Sequence, residues 1–246
     1  MKYQKKSLGQ NFLIDKNIAK KITNISKLKG TDVIEIGPGK GALTDEILKK
    51  NLKKLILIEK DNELFEYLIK KYKAHKNIKI INEDILNFDF KTISSKKLCI
   101  IGNLPYNISS QILIKILKTE EINKCLQDLI FMFQKELGEK ITAKFPSKHY
   151  GRLSIITNFK FKIVKKFLVS PNCFFPKPKV VSMVIHFKSH KNKKFKIKDL
   201  SNLEKVTNKL FSNKRKMINK SIRKILKDKD IEKLKNLNLT LRPENI

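Results

Sequence analysis

Between residues 31 and 87, short apolar runs alternate with longer segments in which apolar residues recur every three or four positions. The short runs favour buried strands, and the recurrence within residues 61–72 is typical of one face of a helix. The predicted strands are Asp32–Ile36, Leu55–Glu59 and Ile78–Ile81, and the predicted helices are Ala42–Asn51 and Asp61–Tyr72. This βαβαβ order predicts a parallel sheet.

The chain continues with further strands and then changes in composition. Strands are predicted at Leu98–Ile101 and Leu126–Phe133, and two late strands joined by a proline-bearing loop are predicted between Leu153 and Phe187. From about residue 188 a pattern rich in Lys, Asn and Leu is helical. We therefore predict an α/β fold with a Rossmann-like domain over residues 1–187 and a small C-terminal helical domain over residues 188–246.

The chain carries a large excess of positive charge. It has 55 Lys and Arg residues against 23 Asp and Glu residues, for a formal net charge of +32. Such a field attracts polyanions, chiefly nucleic acid, although abundant Lys, Asn and Ile are also what an adenine- and thymine-rich genome favours. The basic residues predicted to line one face of a C-terminal helix and bind RNA phosphates are Lys214, Arg215, Lys216, Lys220, Arg223 and Lys224. A solvated Lys-rich helix is the alternative.

Cysteines and histidines are few and scattered. Cys99, Cys125 and Cys173 lie far apart, without a C-x-x-C pair, and four His residues are spread among Lys-rich stretches. We therefore expect no metal and a reducing compartment. No apolar run reaches the ~18 residues that span a bilayer, and the N-terminal segment lacks the apolar region of a signal peptide. We expect a cytoplasmic monomer with no membrane partner.

A glycine-rich turn, Gly37–Gly41, follows the first predicted strand, where glycine allows a ligand to approach the backbone closely. Glu59 ends the second strand about 20 positions later and can accept both hydroxyl groups of a ribose. Asp84, after the third strand, can accept a hydrogen bond from an adenine amino group. These residues predict a site for an adenosine-containing cofactor, and both NAD and S-adenosylmethionine fit them.

The segment Asn103-Leu104-Pro105-Tyr106, after the fourth strand, favours S-adenosylmethionine because it has the form of the tetrapeptide of amino methyltransferases. An exocyclic adenine nitrogen is a poor nucleophile because its lone pair is delocalised into the ring. The Asn103 side-chain oxygen and a backbone carbonyl at Leu104 or Pro105 can accept hydrogen bonds from the N–H groups of the adenine amine. These two bonds favour the pyramidal form of the nitrogen. Pro105 stiffens the turn, and Tyr106 offers a face for stacking on an extruded base. An Asn-capped loop with a buried Tyr is the alternative.

With these motifs in place, the sequence resembles the ribosomal RNA adenine dimethyltransferases, the KsgA or RsmA family of 16S rRNA enzymes, along essentially its whole length. The segments that carry the resemblance are Leu8–Asp15, Glu35–Gly41, Gly102–Ser109, Gln134–Glu136, Tyr150–Ser154 and Phe174–Val180. The chain departs from the family pattern at Ser170, where a Pro is usual, and at Lys177, which interrupts the usual triple Pro.

The resemblance implies a fold of the S-adenosylmethionine methyltransferase type and a set of site residues. The implied cofactor contacts are Asn11, Leu13, Gly37, Glu59, Asp84 and Asn103. Asn103 would also face the target amine, and Phe174 would meet the other face of the adenine. The implied substrates are two adjacent adenines in the hairpin loop near the 3′ end of 16S rRNA, both converted to N6,N6-dimethyladenosine during small-subunit assembly.

Two other functions stay open on the sequence. The 23S rRNA adenine methyltransferases that confer macrolide resistance share the N-terminal, glycine-turn and Asn-Leu/Ile-Pro-Tyr features, whereas Tyr150–Ser154 and Pro176–Ser182 favour the 16S group. A ribosome-assembly or transcription factor of this fold could bind RNA or DNA without methylating it. The intact segment Asn103–Tyr106 argues against such a purely structural role.

Overall fold

The computed structural model describes residues 11–190, 200–212, 216–234 and 237–245. In these residues the strands are β1 (Phe12–Leu13), β2 (Asp32–Ile36), β3 (Lys54–Glu59), β4 (Ile78–Asn82), β5 (Leu98–Asn103), β6 (Leu126–Gln134), β7 (Phe161–Val169), β8 (Phe174–Phe175) and β9 (Ser182–Ser189). In the same residues the α-helices are α1 (Lys16–Thr23), α2 (Ala42–Leu48), α3 (Asn62–Tyr72), α4 (Ser109–Lys118), α5 (Glu120–Asn123), α6 (Lys135–Thr142), α7 (Arg152–Lys160), α8 (Leu200–Phe211), α9 (Asn219–Ile222) and α10 (Asp228–Ile231).

Seven strands form one sheet in the order β4-β3-β2-β5-β6-β9-β7, and β1 pairs with β8 in a separate two-stranded ribbon. The strands from β4 to β6 are parallel, and β9 runs antiparallel to β6. All five residues of β2 are buried, as expected of a parallel strand covered on both faces. From β2 the chain continues to β3 and β4 on one side of the sheet, and from β5 it continues to β6 on the other side. This reversal opens a crevice at the carboxyl ends of β2 and β5.

The predicted α/β, Rossmann-like fold is confirmed. Each strand predicted before residue 134 is present, and β7 and β9 are the two late strands. Residues 152–160 are an exception: they lie in the region predicted to form strands but form helix α7. The Ser154 hydroxyl accepts the N–H of Gly151 at 3.0 Å and donates to its carbonyl at 2.8 Å, and Ile156 is buried. This cap and the packing override the local β propensity.

The chain forms two compact units. The first comprises Met1–Gly138 and Lys162–Ser189, and the second comprises Glu139–Phe161 and His190–Ile246. The first unit therefore ends close to the boundary predicted at residue 188. Residues 139–161, predicted to belong to the N-terminal domain, group instead with the second unit.

Within the second unit, α7 packs against α8. The Arg152 guanidinium lies 2.5 Å from Oε1 of Glu204, and the ring of Tyr150 meets that of Phe211 edge-on, with centroids 6.5 Å apart. These contacts join residues before position 161 to residues after position 200. They give a physical reason for the grouping, because the segment 139–161 alone is too short to bury an apolar core.

Candidate active site

The carboxyl ends of β2 and β5 lie side by side. In the register of these strands Ile36 is opposite Gly102, so Gly37 and Asn103 follow at neighbouring positions. A cavity of about 300 Å³ opens here, within the size range of small-molecule sites. The residues predicted to bind the cofactor all line this cavity: Asn11, Leu13, Gly37, Glu59, Asp84 and Asn103.

The glycine-rich turn needs glycine for two reasons. Gly39 and Gly41 have φ values of 57° and 85°, in the left-handed region that other residues rarely adopt. A Cβ atom on Gly39 would also lie 2.9 Å from the Phe12 ring, and one on Gly41 would lie 2.0 Å from the Tyr72 hydroxyl. The backbone is therefore held against two aromatic side chains in a form that only glycine permits.

Side chains of α3 hold the end of this turn. The Tyr72 hydroxyl lies 2.6 Å from Oδ1 of Asp45 and 3.2 Å from the Gly41 carbonyl. The Lys71 ammonium donates to Oδ2 of Asp45 at 2.9 Å and to the Lys40 carbonyl at 3.0 Å. Sequence reasoning did not identify Tyr72 or Lys71, since their spacing along α3 indicates only a helix.

Glu59 closes β3 and is 7% exposed. Its carboxylate accepts the N–H of Gly39 at 3.2 Å and the N–H of Asp61 at 3.0 Å. Burial raises the pKa of Glu59 despite these two hydrogen bonds. A carboxylate has about four lone-pair positions, so the group has acceptor capacity for ribose hydroxyls as well.

Asp84 follows β4 and accepts hydrogen bonds from the Lys60 ammonium at 2.7 Å and the N–H of Leu86 at 2.9 Å. Burial alone would raise the pKa of Asp84, but the hydrogen bonds from Lys60 and Leu86 bring this pKa below its usual value. The side chain is therefore an ionised acceptor at the cavity wall, which suits the predicted contact with an adenine amino group.

Glu35, the fourth of the five residues of β2, also lines the cavity, but the sequence prediction did not include it among the cofactor-binding residues. Burial raises the pKa of Glu35 to about 8, although the Thr44 hydroxyl donates to Oε2 at 2.6 Å. Asp45 and Glu59 raise this pKa further. The signals for this group in the sequence were an acidic residue within an apolar strand and its position at the start of the segment Glu35–Gly41.

The Asn103 side chain is oriented by the backbone of another segment. Its Nδ2 donates to the carbonyl of Asn11 at 2.9 Å, across 92 positions of sequence. This bond places Oδ1 on the opposite side of the amide group from Asn11. Leu104 is 2% exposed, and together with Pro105 and Tyr106 it lines the cavity.

Phe174 does not line the cavity. The register of β1 and β8 sets it opposite Leu13 on the inward face of the ribbon, where it is 2% exposed and packs in the hydrophobic core with Val169 and Val184. The ring could meet an adenine only if substrate binding uncovered it. Its contact with the target base therefore stays a prediction.

Those of the predicted basic C-terminal residues that the structure describes do not lie on one helix. Lys214 and Arg215 lie outside the described residues. Helix α9 has four residues and includes Lys220, while Lys216 precedes it and Arg223 and Lys224 follow it. The N–H groups of Ile218 and Asn219 donate to the carbonyls of Leu241 and Leu239, so the start of α9 is bonded to a distant part of the chain and not to a preceding helical turn. The side chains of Lys216, Lys220, Arg223 and Lys224 are all exposed.

The described ranges contain neither a candidate membrane-spanning helix nor a candidate metal site. Among these residues no helix has the length and apolar character required to cross a membrane. In the same part of the chain no three or more His, Cys, Asp and Glu side chains come together as a metal site would require.

A crevice at the carboxyl ends of parallel strands, lined by a glycine-rich turn and acidic side chains and with an oriented amide at its edge, is the arrangement expected of a Rossmann-like methyltransferase acting on an amino nitrogen. A family model described as "Ribosomal RNA adenine dimethylase" matches residues 1–243. The chain belongs to this family, so the predicted class of enzyme, an rRNA adenine dimethyltransferase, is confirmed.

Known relatives agree with this assignment. Ribosomal RNA small subunit methyltransferase A of Pelagibacter ubique (strain HTCC1062) is 44% identical over 243 residues, which cover 98% of this chain and 92% of the relative. A dimethyladenosine transferase from Plasmodium falciparum has a TM-score of 0.81 at 23% identity, covering 96% of this chain and 92% of that one. The 23S rRNA methyltransferase ErmE has a TM-score of 0.72 at 24% identity, covering 96% of both chains. These two structural likenesses concern the fold alone.

Proposed function

We propose that this protein transfers methyl groups from S-adenosylmethionine to N6 of two adjacent adenines in the 3′-terminal hairpin loop of 16S rRNA, giving N6,N6-dimethyladenosine. The observation that carries the proposal is the bond from Asn103 Nδ2 to the Asn11 carbonyl. Because this bond uses the amide NH₂ group, Oδ1 is set to accept an N–H bond of a substrate amine. The small-subunit name of the 44% identical relative supports 16S over 23S rRNA.

The cavity residues fit S-adenosylmethionine. Glu59 would hold the ribose hydroxyls and Asp84 the adenine amino group, while the backbone at Gly37 allows close approach and Asn11 and Leu13 line the same cavity. When bound, this cofactor supplies an activated methyl group on a sulfonium. The protein contributes alignment of the amine with that methyl group, which can be worth ~7–11 kcal/mol.

The second acceptor for the amine is assigned to Leu104. The carbonyl of Pro105 already accepts the N–H of Ile108 at 3.2 Å, so the Leu104 carbonyl is the better candidate for a second acceptor of the substrate amine, alongside Asn103 Oδ1. Two acceptors aimed at the N–H bonds favour the pyramidal amine. A strong general base is not required, because the nitrogen becomes acidic once methylated and water can take the proton.

Tyr106 would stack on one face of the extruded adenine. Its ring lines the cavity, and its hydroxyl lies 2.6 Å from Oγ of Ser182. Stacking depends on the ring face of the base and not on its amine, so it can hold both adenosine and N6-methyladenosine. This independence supports two successive transfers to one nitrogen.

We propose 16S rRNA within the immature small subunit as the macromolecular partner, the cytoplasm as the location of the reaction, and a monomer as the working form of the protein. The net charge of +32 and the exposed Lys216, Lys220, Arg223 and Lys224 support RNA phosphate binding. These side chains would add affinity without reading bases.

The direct test incubates the full chain with labelled S-adenosylmethionine and either undermethylated small or undermethylated large ribosomal subunits, then maps the modified base. We expect label only in small subunits, at the two adjacent adenines. Mass spectrometry of the nucleosides should show dimethyladenosine at long times with excess cofactor. Label in the large subunit, or monomethyladenosine as the only end product, would contradict the proposal.

A further inference from the structure

The ribbon of β1 and β8 has two faces of different character. Residues directly opposite in an antiparallel pair share a face, so Leu13 and Phe174 lie on one side and Phe12 and Phe175 on the other. The first pair is buried in the hydrophobic core, at 5% and 2% exposure. The second pair therefore faces away from that core.

This outward face borders the cavity. Phe12 lines the cavity and is 8% exposed, whereas Phe175 is 41% exposed. The N–H of Ile14 donates to the Cys173 carbonyl at 2.9 Å, so the ribbon continues and Ile14 falls on the same face as Phe12, at 58% exposure. An aromatic ring and an aliphatic side chain thus lie exposed beside a wall of the cavity.

Phe175 is the most exposed phenylalanine in the described part of the first unit. The exposed Lys177 and Lys179 follow it closely, and the Lys40 ammonium lies 5.2 Å from the centre of the Phe12 ring. An exposed aromatic face flanked by cations matches the chemistry of single-stranded RNA, whose bases stack and whose phosphates are anionic.

We propose that Phe175, with Ile14 beside it, is the stacking surface for the base next to the target adenine in the RNA strand. The inference rests on the proposed function and extends it. While one base enters the cavity beside Tyr106, its neighbour would stay outside on Phe175. The two adjacent adenines could then exchange places between the cavity and this surface.

The test uses the full chain and a hairpin RNA in which one of the two adjacent adenines is replaced by 2-aminopurine, whose fluorescence is quenched by stacking. Binding to the unchanged protein should quench the probe, and Phe175→Leu should remove that quenching. On undermethylated small subunits, Phe175→Leu should raise the RNA KM about tenfold, the effect of losing one base–aromatic stack. Its kcat and its Kd for S-adenosylmethionine should change less than twofold.

Two variants complete the design. Phe175→Tyr keeps an aromatic face and should restore both quenching and KM, whereas Leu168→Ala removes another exposed apolar side chain, at 52% exposure, and should change neither. Unchanged quenching in Phe175→Leu would overturn the inference. A weaker cofactor Kd in that variant would also overturn it, because the ring would then support only the cavity wall. The fluorescence measurement needs no turnover, so it tests the inference even if the proposed methylation fails.

Discussion

The hydroxyl of Tyr106 lies 2.6 Å from Oγ of Ser182, although the two residues are 76 positions apart. Ser182 begins β9 and is fully buried, while Tyr106 lines the cavity after β5. The antiparallel strand next to β6 therefore sets the orientation of the ring proposed to stack on the adenine.

We predict that Ser182→Ala lowers kcat/KM by about two- to tenfold, the cost of one hydrogen bond that positions a reacting group. Tyr106→Phe should have a similar effect, and the double variant should be no worse than either single one, because both remove the same bond. Steady-state methyl transfer measures all three, with the exposed Ser94→Ala as the matched control. Multiplicative effects in the double variant would show that the two residues act independently.

Asn103→Ala should reduce the rate of methyl transfer by about 10²–10³, because it removes one acceptor aimed at the amine. RNA affinity should be nearly unchanged, since little contact area is lost. Single-turnover kinetics and RNA binding measured on the same preparation separate the two effects. The exposed Asn62→Ala serves as control. A wild-type rate in Asn103→Ala would show that the assigned role is wrong.

Glu35 should make stability depend on pH. Its carboxyl titrates near 4.5 in the unfolded chain and near 8 in the folded protein. Between these values the folded state holds the extra proton, so the stabilisation present below pH 4.5 is lost as pH rises to about 8. The slope for one proton is at most about 1.4 kcal/mol per pH unit.

Denaturant unfolding of the wild type and of Glu35→Gln between pH 5 and 8 tests this dependence. The variant does not titrate at this position, so its stability relative to the wild type should improve as pH rises. The control variant Glu66→Gln, at an exposed position, should show the same dependence of the free energy of unfolding on pH as the wild type. Parallel curves for Glu35→Gln as well would mean that the carboxyl does not carry the extra proton.

Changing Lys216, Lys220 and Arg223 together to Glu should weaken rRNA binding and reduce the dependence of log K on log salt by about 2–3 units, because three phosphate contacts are lost. Binding titrations from 50 to 200 mM salt measure both quantities. A charge-matched control changes three exposed lysines near the end of α3: Lys70, Lys73 and Lys76. Equal losses of RNA affinity in the two triple variants would indicate that the positive charge attracts RNA in general and that these residues do not form a defined RNA-binding surface.

The sequence predicted the sheet and most of the cavity because both follow from local patterns. Apolar runs identify parallel strands, and such strands end at one edge, so Gly37, Glu59, Asp84 and Asn103 had to meet there. The faces of the ribbon could not be predicted in this way. Phe174 and Phe175 are adjacent and chemically identical, and only their register with β1 assigns one to the core and one to the surface.

Other misses have the same origin in contacts between distant residues. The hydrogen bonds from Ile218 and Asn219 to residues 239–241 mark the start of α9, which has only four residues although the local composition is helical. The contact of Tyr72 with Gly41, across 31 positions, likewise leaves no periodic signal. Local helix propensity predicts neither the short α9 nor the contact of Tyr72 with Gly41, because both depend on interactions between residues that are distant in sequence.

The pairing of β1 with β8 also orders events during synthesis. Residues 12 and 13 leave the ribosome early, but their hydrogen-bonding partners, Phe174 and Phe175, come after more than two thirds of the chain has been made. Asn11, whose carbonyl orients Asn103, adjoins the early strand and depends on this late closure. We therefore expect a nascent chain that already contains the glycine turn and the Asn-Leu-Pro-Tyr segment to be inactive until β8 emerges. The ability to transfer methyl groups would then appear at one late stage of translation.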